Sequence, residues 1–127
     1  FEATDPDYVG FCLDTGHIVY GHGDPMELCR TYPERISYVH IKAMDEGLVT
    51  QAHDDDWPFG LAVAKGCSVA PPAGLPEMGP VIEALADLDK ELYVICEQDM
   101  YPCPPDQPLP IAIETRKYLA SLGLGVA

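Results

Sequence analysis

Three apolar runs in this chain each end in residues that can do chemistry. Asp14 and His17 follow "YVGFCL" (8–13) in the order Asp-Thr-Gly-His. His40 lies in "ISYVHI" (36–41) with Lys42 just beyond it, and Glu97, Gln98 and Asp99 follow "ELYVIC" (91–96). An Asp, a His and a Glu make a donor set for a divalent metal of intermediate hardness, with imidazole favouring Mn, Co or Zn over Mg. A carboxylate at such a site can also move a proton. If the runs are neighbouring parallel strands, Asp14, His40 and Glu97 converge, because the carboxyl ends of parallel strands form the active face of such folds.

Each residue also has a plainer explanation. Asp14 before Thr-Gly fits an Asx-turn that only ends a strand. His40 fits a satisfied core histidine, and Glu97-Gln98-Asp99 a solvated strand end. The "DDD" at 54–56 reads as a solvated loop face, and Cys12 and Cys96 read as small buried hydrophobes within strands. Gly21-His22-Gly23 precedes a helix but lacks the third glycine of a dinucleotide fingerprint, and the sequence holds neither a P-loop nor a G-x-S-x-G element.

The elements that must position these residues follow from periodicity. All three runs are β-branched or aromatic rich and of the length expected for strands buried on both faces. Asp24-Pro25 reads as N-cap and first position of a helix over 25–33, with Leu28 and Tyr32 one turn apart. Val81, Ile82, Leu85 and Leu88 form the apolar stripe of a helix near 77–89. Ile111, Thr115, Tyr118, Leu119 and Leu122 mark another near 109–122, stopped by Gly123. The β-α-β-α-β-α order is that of a parallel α/β sheet. The connection 43–76 is long enough to be functional or disordered and includes a short candidate helix, "PFGLAVAKG" (58–66). "YPCPPDQPLP" (101–110) is a proline-rich loop.

Composition narrows the function further. With 127 residues, 47% of them hydrophobic, the chain can build one core. The net charge of −14, with only 7 basic residues, argues against a nucleic-acid partner. No run reaches the roughly 18 apolar residues of a membrane span, and no secretory leader is visible. Five cysteines without a C-x-x-C pair point away from a disulfide framework and towards a reducing cytoplasm. The opening "FEATDPD", without an initiator Met, is expected to be interior to a longer protein.

"FCLDTGH", "YVHIK", "FGLAVAKG" and "VICEQD" together resemble the C-terminal part of the xylose-isomerase-like TIM-barrel superfamily, from Val9 to about Gly123. That group holds sugar isomerases and epimerases, inosose dehydratases and endonuclease-IV-like enzymes. The E-Q-D ending and the F-x-x-A-V-x-x-G segment are most similar to inosose dehydratase. The resemblance implies strands equivalent to the sixth to eighth of a (β/α)₈ barrel. It implies Asp14, His40 and Glu97 as ligands of a divalent metal, Mn or Co, with Zn or Mg as alternatives. It further implies Glu97 as the proton-moving carboxylate and His17 as a contact to substrate oxygen. Lys42, by its position, is a candidate electrophilic helper that binds substrate.

The family's first metal ligand, a Glu after the fifth strand, would lie upstream of Phe1. Its acidic residue after H-x-K is Ala43 here, and the loop "APPAGLPEMG" (70–79) lacks the family's basic residue. The expected fold is therefore α/β, a partial (β/α)₈ TIM barrel of about three βα units, residues 1–127, incomplete unless paired with another chain. The expected function is metal-dependent isomerisation or epimerisation of a sugar or cyclic polyol by proton transfer beside a carbonyl. An inosose dehydratase-like lyase and an inactive half-barrel or interaction module are the alternatives. A missing N-terminal half or a homodimer would complete the barrel.

Overall fold

β-Branched and aromatic side chains crowd the helical backbone but fit a pleated one, and the three apolar runs form strands. The computed structural model describes residues 1–125. Its elements begin with β1 (Phe11–Asp14), α1 (Thr15–Tyr20), α2 (Pro25–Thr31) and β2 (Ile36–Ile41). Then come β3 (Ala43–Met44), α3 (Glu46–Asp54), α4 (Phe59–Ala64) and β4 (Ser68–Val69). α5 (Met78–Ala86), β5 (Tyr93–Cys96) and α6 (Pro108–Ser121) complete the order. Strands β1, β2 and β5 form one parallel sheet in that order, with β2 at its centre, and β3 pairs with β4 antiparallel.

Helix ends follow local chemistry. Asp24 caps α2 by accepting from the Met26 N–H at 2.8 Å, with Pro25 at the first position. Gly123, at φ +91°, ends α6. There the Gly123 N–H reaches Ala120 O at 3.0 Å and the Leu124 N–H reaches Leu119 O at 3.0 Å, the paired bonds of a Schellman motif.

One face of the sheet is core. Leu13, Ile36, Val39 and Ile41 are fully buried and pack with Cys29, Val81, Ile82, Leu85 and Leu119 from the helices. The other face is open, contrary to the expectation of strands buried on both faces. Cys12, Tyr38 and Tyr93 lie side by side there, and Tyr93 is 76% exposed. Among the described residues the helices cover one side of the sheet only, which leaves the alternate residues uncovered. For the same reason Cys12 is exposed and not buried. Cys96 is also exposed, because edge strand β5 leaves it in a cleft of about 340 Å³ shared with Ile111, Thr115 and Arg116 of α6.

The connection after β2 is ordered by its own small core. Met44, Val49, Ala52, Ala62 and Cys67 are buried together, with Trp57 and Phe59 packed against them. Asp45 starts α3 by accepting from the Leu48 N–H at 2.8 Å. Asp54–Asp56 lie exposed at the end of α3 and in the turn after it.

Candidate metal centre

Register brings the three donors together. Asp14 is paired with His40 across β1 and β2. Ile41 is paired with Cys96, and the ladder continues as the Glu97 N–H donates to Ile41 O at 3.0 Å. Asp14, His40 and Glu97 therefore stand at the carboxyl end of adjacent strands, with donor atoms all within 4.8 Å of one another.

Asp14 ends the strand by capping the helix that follows. Its Oδ1 accepts from the His17 N–H at 2.9 Å and caps α1, so the run after β1 starts a helix. Its Oδ2 is left 3.3 Å from His40 Nδ1. His40 Nδ1 also lies 2.6 Å from Glu97 Oε2. The Asp14, His40 and Glu97 side chains are 15, 29 and 36% exposed, which leaves the set sheltered but open to a ligand.

Lys42 is nearly inaccessible, at 1% exposure, and is the largest fully buried side chain. Its Nζ lies 3.0 Å from Asp99 Oδ2, 3.1 Å from Glu97 Oε1 and 3.2 Å from His17 Nε2, with Asp14 Oδ2 at 3.5 Å. Burial pushes the Lys42 pKa down, but the close Asp99 and Glu97 carboxylates and the charge of Asp14 outweigh it and hold the pKa above the usual lysine value.

The Asp-Thr-Gly-His run is fitted to this lysine. The buried Thr15 hydroxyl donates to Lys42 O at 2.6 Å and accepts from the Lys42 N–H at 2.9 Å. A Cβ on Gly16 would stand 2.5–2.8 Å from the Lys42 side-chain carbons, so only glycine leaves room for the lysine stem. His17 faces the ammonium and packs on the Phe59 ring at 5.0 Å between centroids. Sequence reasoning gave Thr15 and Gly16 no role of their own and noted Asp99 only as part of a polar strand end. The close spacing of Asp-Thr-Gly-His was the available signal for the first two. Nothing in the sequence marks Asp99 as the partner of a lysine 57 positions away.

The donor chemistry fits a divalent ion. One imidazole nitrogen and two carboxylate oxygens suit Mn, Co or Zn, and three protein ligands leave positions open for water or substrate. Asp14, His40 and Glu97 would hold the ion.

Parallel strands with helices over one face and a polar site at the strands' carboxyl ends are the repeating unit of α/β barrels. The chain matches the family model of the xylose isomerase-like TIM barrel over residues 1–122, and it belongs to that family. Its sequence is 35% identical over 118 residues to inosose dehydratase of Clostridium tetani (strain Massachusetts / E88), covering 93% of this chain and 39% of that protein. It is 34% identical over 101 residues to inosose dehydratase of Geobacillus kaustophilus (strain HTA426), covering 80% of this chain and 33% of that one. The chain thus spans little more than a third of the length of these relatives. A sugar phosphate isomerase/epimerase from Parabacteroides distasonis ATCC 8503 shares the fold with a TM-score of 0.60 at 21% identity, over 94% of this chain and 33% of that one.

Proposed function

We propose that the chain carries one wall of a metal-dependent active site that moves a proton beside a carbonyl of a sugar or cyclic polyol. The observation that carries this reading is the convergence of Asp14, His40 and Glu97 at adjacent strand ends. A bound divalent ion would polarise the substrate carbonyl and make the neighbouring C–H acidic. Glu97 then takes that proton, while His17 holds a substrate oxygen at the rim. Loss of a β-hydroxyl as water, protonated by the carboxyl of Glu97 that took up the C–H proton, with the electron pair of the broken C–H bond forming the new C=C, gives dehydration. Return of the proton to the other face or to the neighbouring carbon gives epimerisation or isomerisation. The curated relatives named inosose dehydratase, at 34–35% identity, favour dehydration of a cyclic polyol ketone.

The open sheet face belongs to the same reading. Cys12, Tyr38, Tyr93 and Ile95 occupy the side that a closed barrel turns inwards, and β1 and β5 are both edge strands. Further βα units, from a preceding N-terminal half or a second copy, would cover this face and supply the opposite wall.

Equilibrium dialysis against Mn²⁺ and Co²⁺ tests the centre. One ion per chain is expected, and His40→Ala should abolish the binding while the far-UV circular dichroism stays unchanged. If neither ion binds stoichiometrically, or His40→Ala binds as well as the parent, the reading fails.

A further inference from the structure

We propose that Lys42 is a positioning residue that fixes His17 as its Nδ1–H tautomer, and that Asp99 is the anchor that keeps the ammonium in place to do so. The importance of His17 rests on the function proposed above; the tautomer rests on geometry alone.

A lysine ammonium has three donors and no acceptor. The three nearest partners of Lys42 Nζ are Asp99 Oδ2 at 3.0 Å, Glu97 Oε1 at 3.1 Å and His17 Nε2 at 3.2 Å. Glu97 Oε1 and His17 Nε2 stand in hydrogen-bonding geometry to the ammonium, so one donor is directed at the imidazole, while Asp99 Oδ2, and Asp14 Oδ2 at 3.5 Å, are ion-pair contacts. His17 Nε2 must therefore present its lone pair, and in the neutral ring the proton resides on Nδ1. The alternative tautomer would turn an N–H towards an ammonium. The carboxylate nearest to Nε2, Asp14 Oδ2, stands 3.9 Å away, too far to accept from it.

The ammonium cannot move aside. Thr15 holds both backbone groups of Lys42, Gly16 leaves only the width of its stem, and the side chain is 1% exposed. Asp99 is fixed in turn, its N–H donating to Ser68 Oγ at 3.0 Å, while the neighbouring Gln98 side chain donates to Ser68 O at 3.3 Å. The short strand β4 thus braces the end of β5, which braces the lysine, which sets the histidine.

The consequence is chemical. An Nδ1–H imidazole whose other nitrogen is occupied is a hydrogen-bond donor and not a base. No protein acceptor engages His17 Nδ1 among the described residues, and the side chain is 47% exposed. It is available to donate to a hydroxyl or carbonyl oxygen of a ligand. Proton removal is left to a carboxylate.

Nitrogen-15 spectra of the labelled chain at pH 8 with chelator, correlating ring nitrogens with carbon-bound protons, distinguish the tautomers; His17→Gln assigns the signal. The parent should show His17 as the Nδ1–H form. Lys42→Met should shift it towards the Nε2–H form, and Asp99→Asn should do so in part, whereas Asp99→Glu should restore the parent pattern. Circular dichroism shows which variants fold, and if Lys42→Met does not, Asp99→Asn decides. A parent signal of the Nε2–H form, or an Nδ1–H form unchanged in the folded variants, would overturn the proposal. Because these spectra are taken without metal, the tautomer and the metal centre stand or fall separately.

Discussion

The Thr15 hydroxyl is the most direct test of how the site is built, because one group satisfies two buried backbone atoms of Lys42. Thr15 is fully buried and bonds Lys42 O at 2.6 Å and the Lys42 N–H at 2.9 Å. Thr15→Val keeps the shape and removes both bonds. Each backbone group left without a partner costs about 1–3 kcal/mol, and the added methyl recovers about 0.8 kcal/mol of burial. The expected net loss is about 3 kcal/mol, a large fraction of the roughly 5–15 kcal/mol that stabilises an ordinary domain. Thr15→Ser keeps the hydroxyl and loses one buried methyl, for about 1 kcal/mol. Urea unfolding followed by circular dichroism reads both values, and equal slopes show that the unfolded states are comparable. If Thr15→Val is no more destabilising than Thr15→Ser, the hydroxyl does not carry the Lys42 backbone and the account of the motif is wrong.

The same glycine-to-alanine change should have opposite effects at two positions. Gly16→Ala meets the Lys42 stem at 2.5–2.8 Å and should cost about 1–3 kcal/mol through overpacking, whereas Gly79→Ala in α5 meets nothing within 4 Å and should be neutral or stabilising by up to about 1 kcal/mol. Matching urea midpoints for the two variants would refute the tight passage. Stability should also report the ionisation of Lys42, whose pKa is raised in the folded state. That contribution is complete below the unfolded value of about 10.4 and is lost as pH rises through the folded value. The difference in unfolding free energy between the parent and Lys42→Met should stay flat from about pH 7 to 9 and narrow above about pH 10.5. Narrowing already between pH 7 and 9 would contradict the raised value.

The strands and most helices were legible because burial writes its period into the chain. Val39 and Ile41 alternate towards the core, and Val81, Ile82 and Leu85 recur at helical spacing. Helix α1 was hidden because Asp-Thr-Gly-His-Ile-Val has weak helical propensity, and its start depends on Asp14 capping a backbone N–H. Strands β3 and β4 are two residues each, too short to have a period. The exposure of Cys12 and Cys96 was illegible for a different reason. Their sequence surroundings are those of an interior strand, and only the lack of cover over Cys12 among the described residues and the place of Cys96 on an edge strand beside the α6 cleft show otherwise. The approach of Asp14, His40 and Glu97 could be anticipated from strand ends. The network of Lys42 and Asp99 could not, since a buried long side chain reaches partners that no local spacing encodes.

Charge gives the clearest physical reason for a lysine inside this site. Asp14, Glu97 and Asp99 bring three carboxylates to one end of the sheet, and the nearest opposing cation is Lys42. Partly buried like charges this close repel strongly and would spread the donors apart without a cation between them. Lys42 lowers the formal charge from three negative to two, while leaving Asp14 Oδ2 and Glu97 Oε2 beside His40. Two negative charges are what a divalent ion offsets. The lysine therefore holds the carboxylates together, and the residual charge is one that the divalent ion proposed above would offset. This accounts for a motif in which Thr15, Gly16 and His17 all face the same side chain: the carboxylates stay together only if the cation between them stays in place.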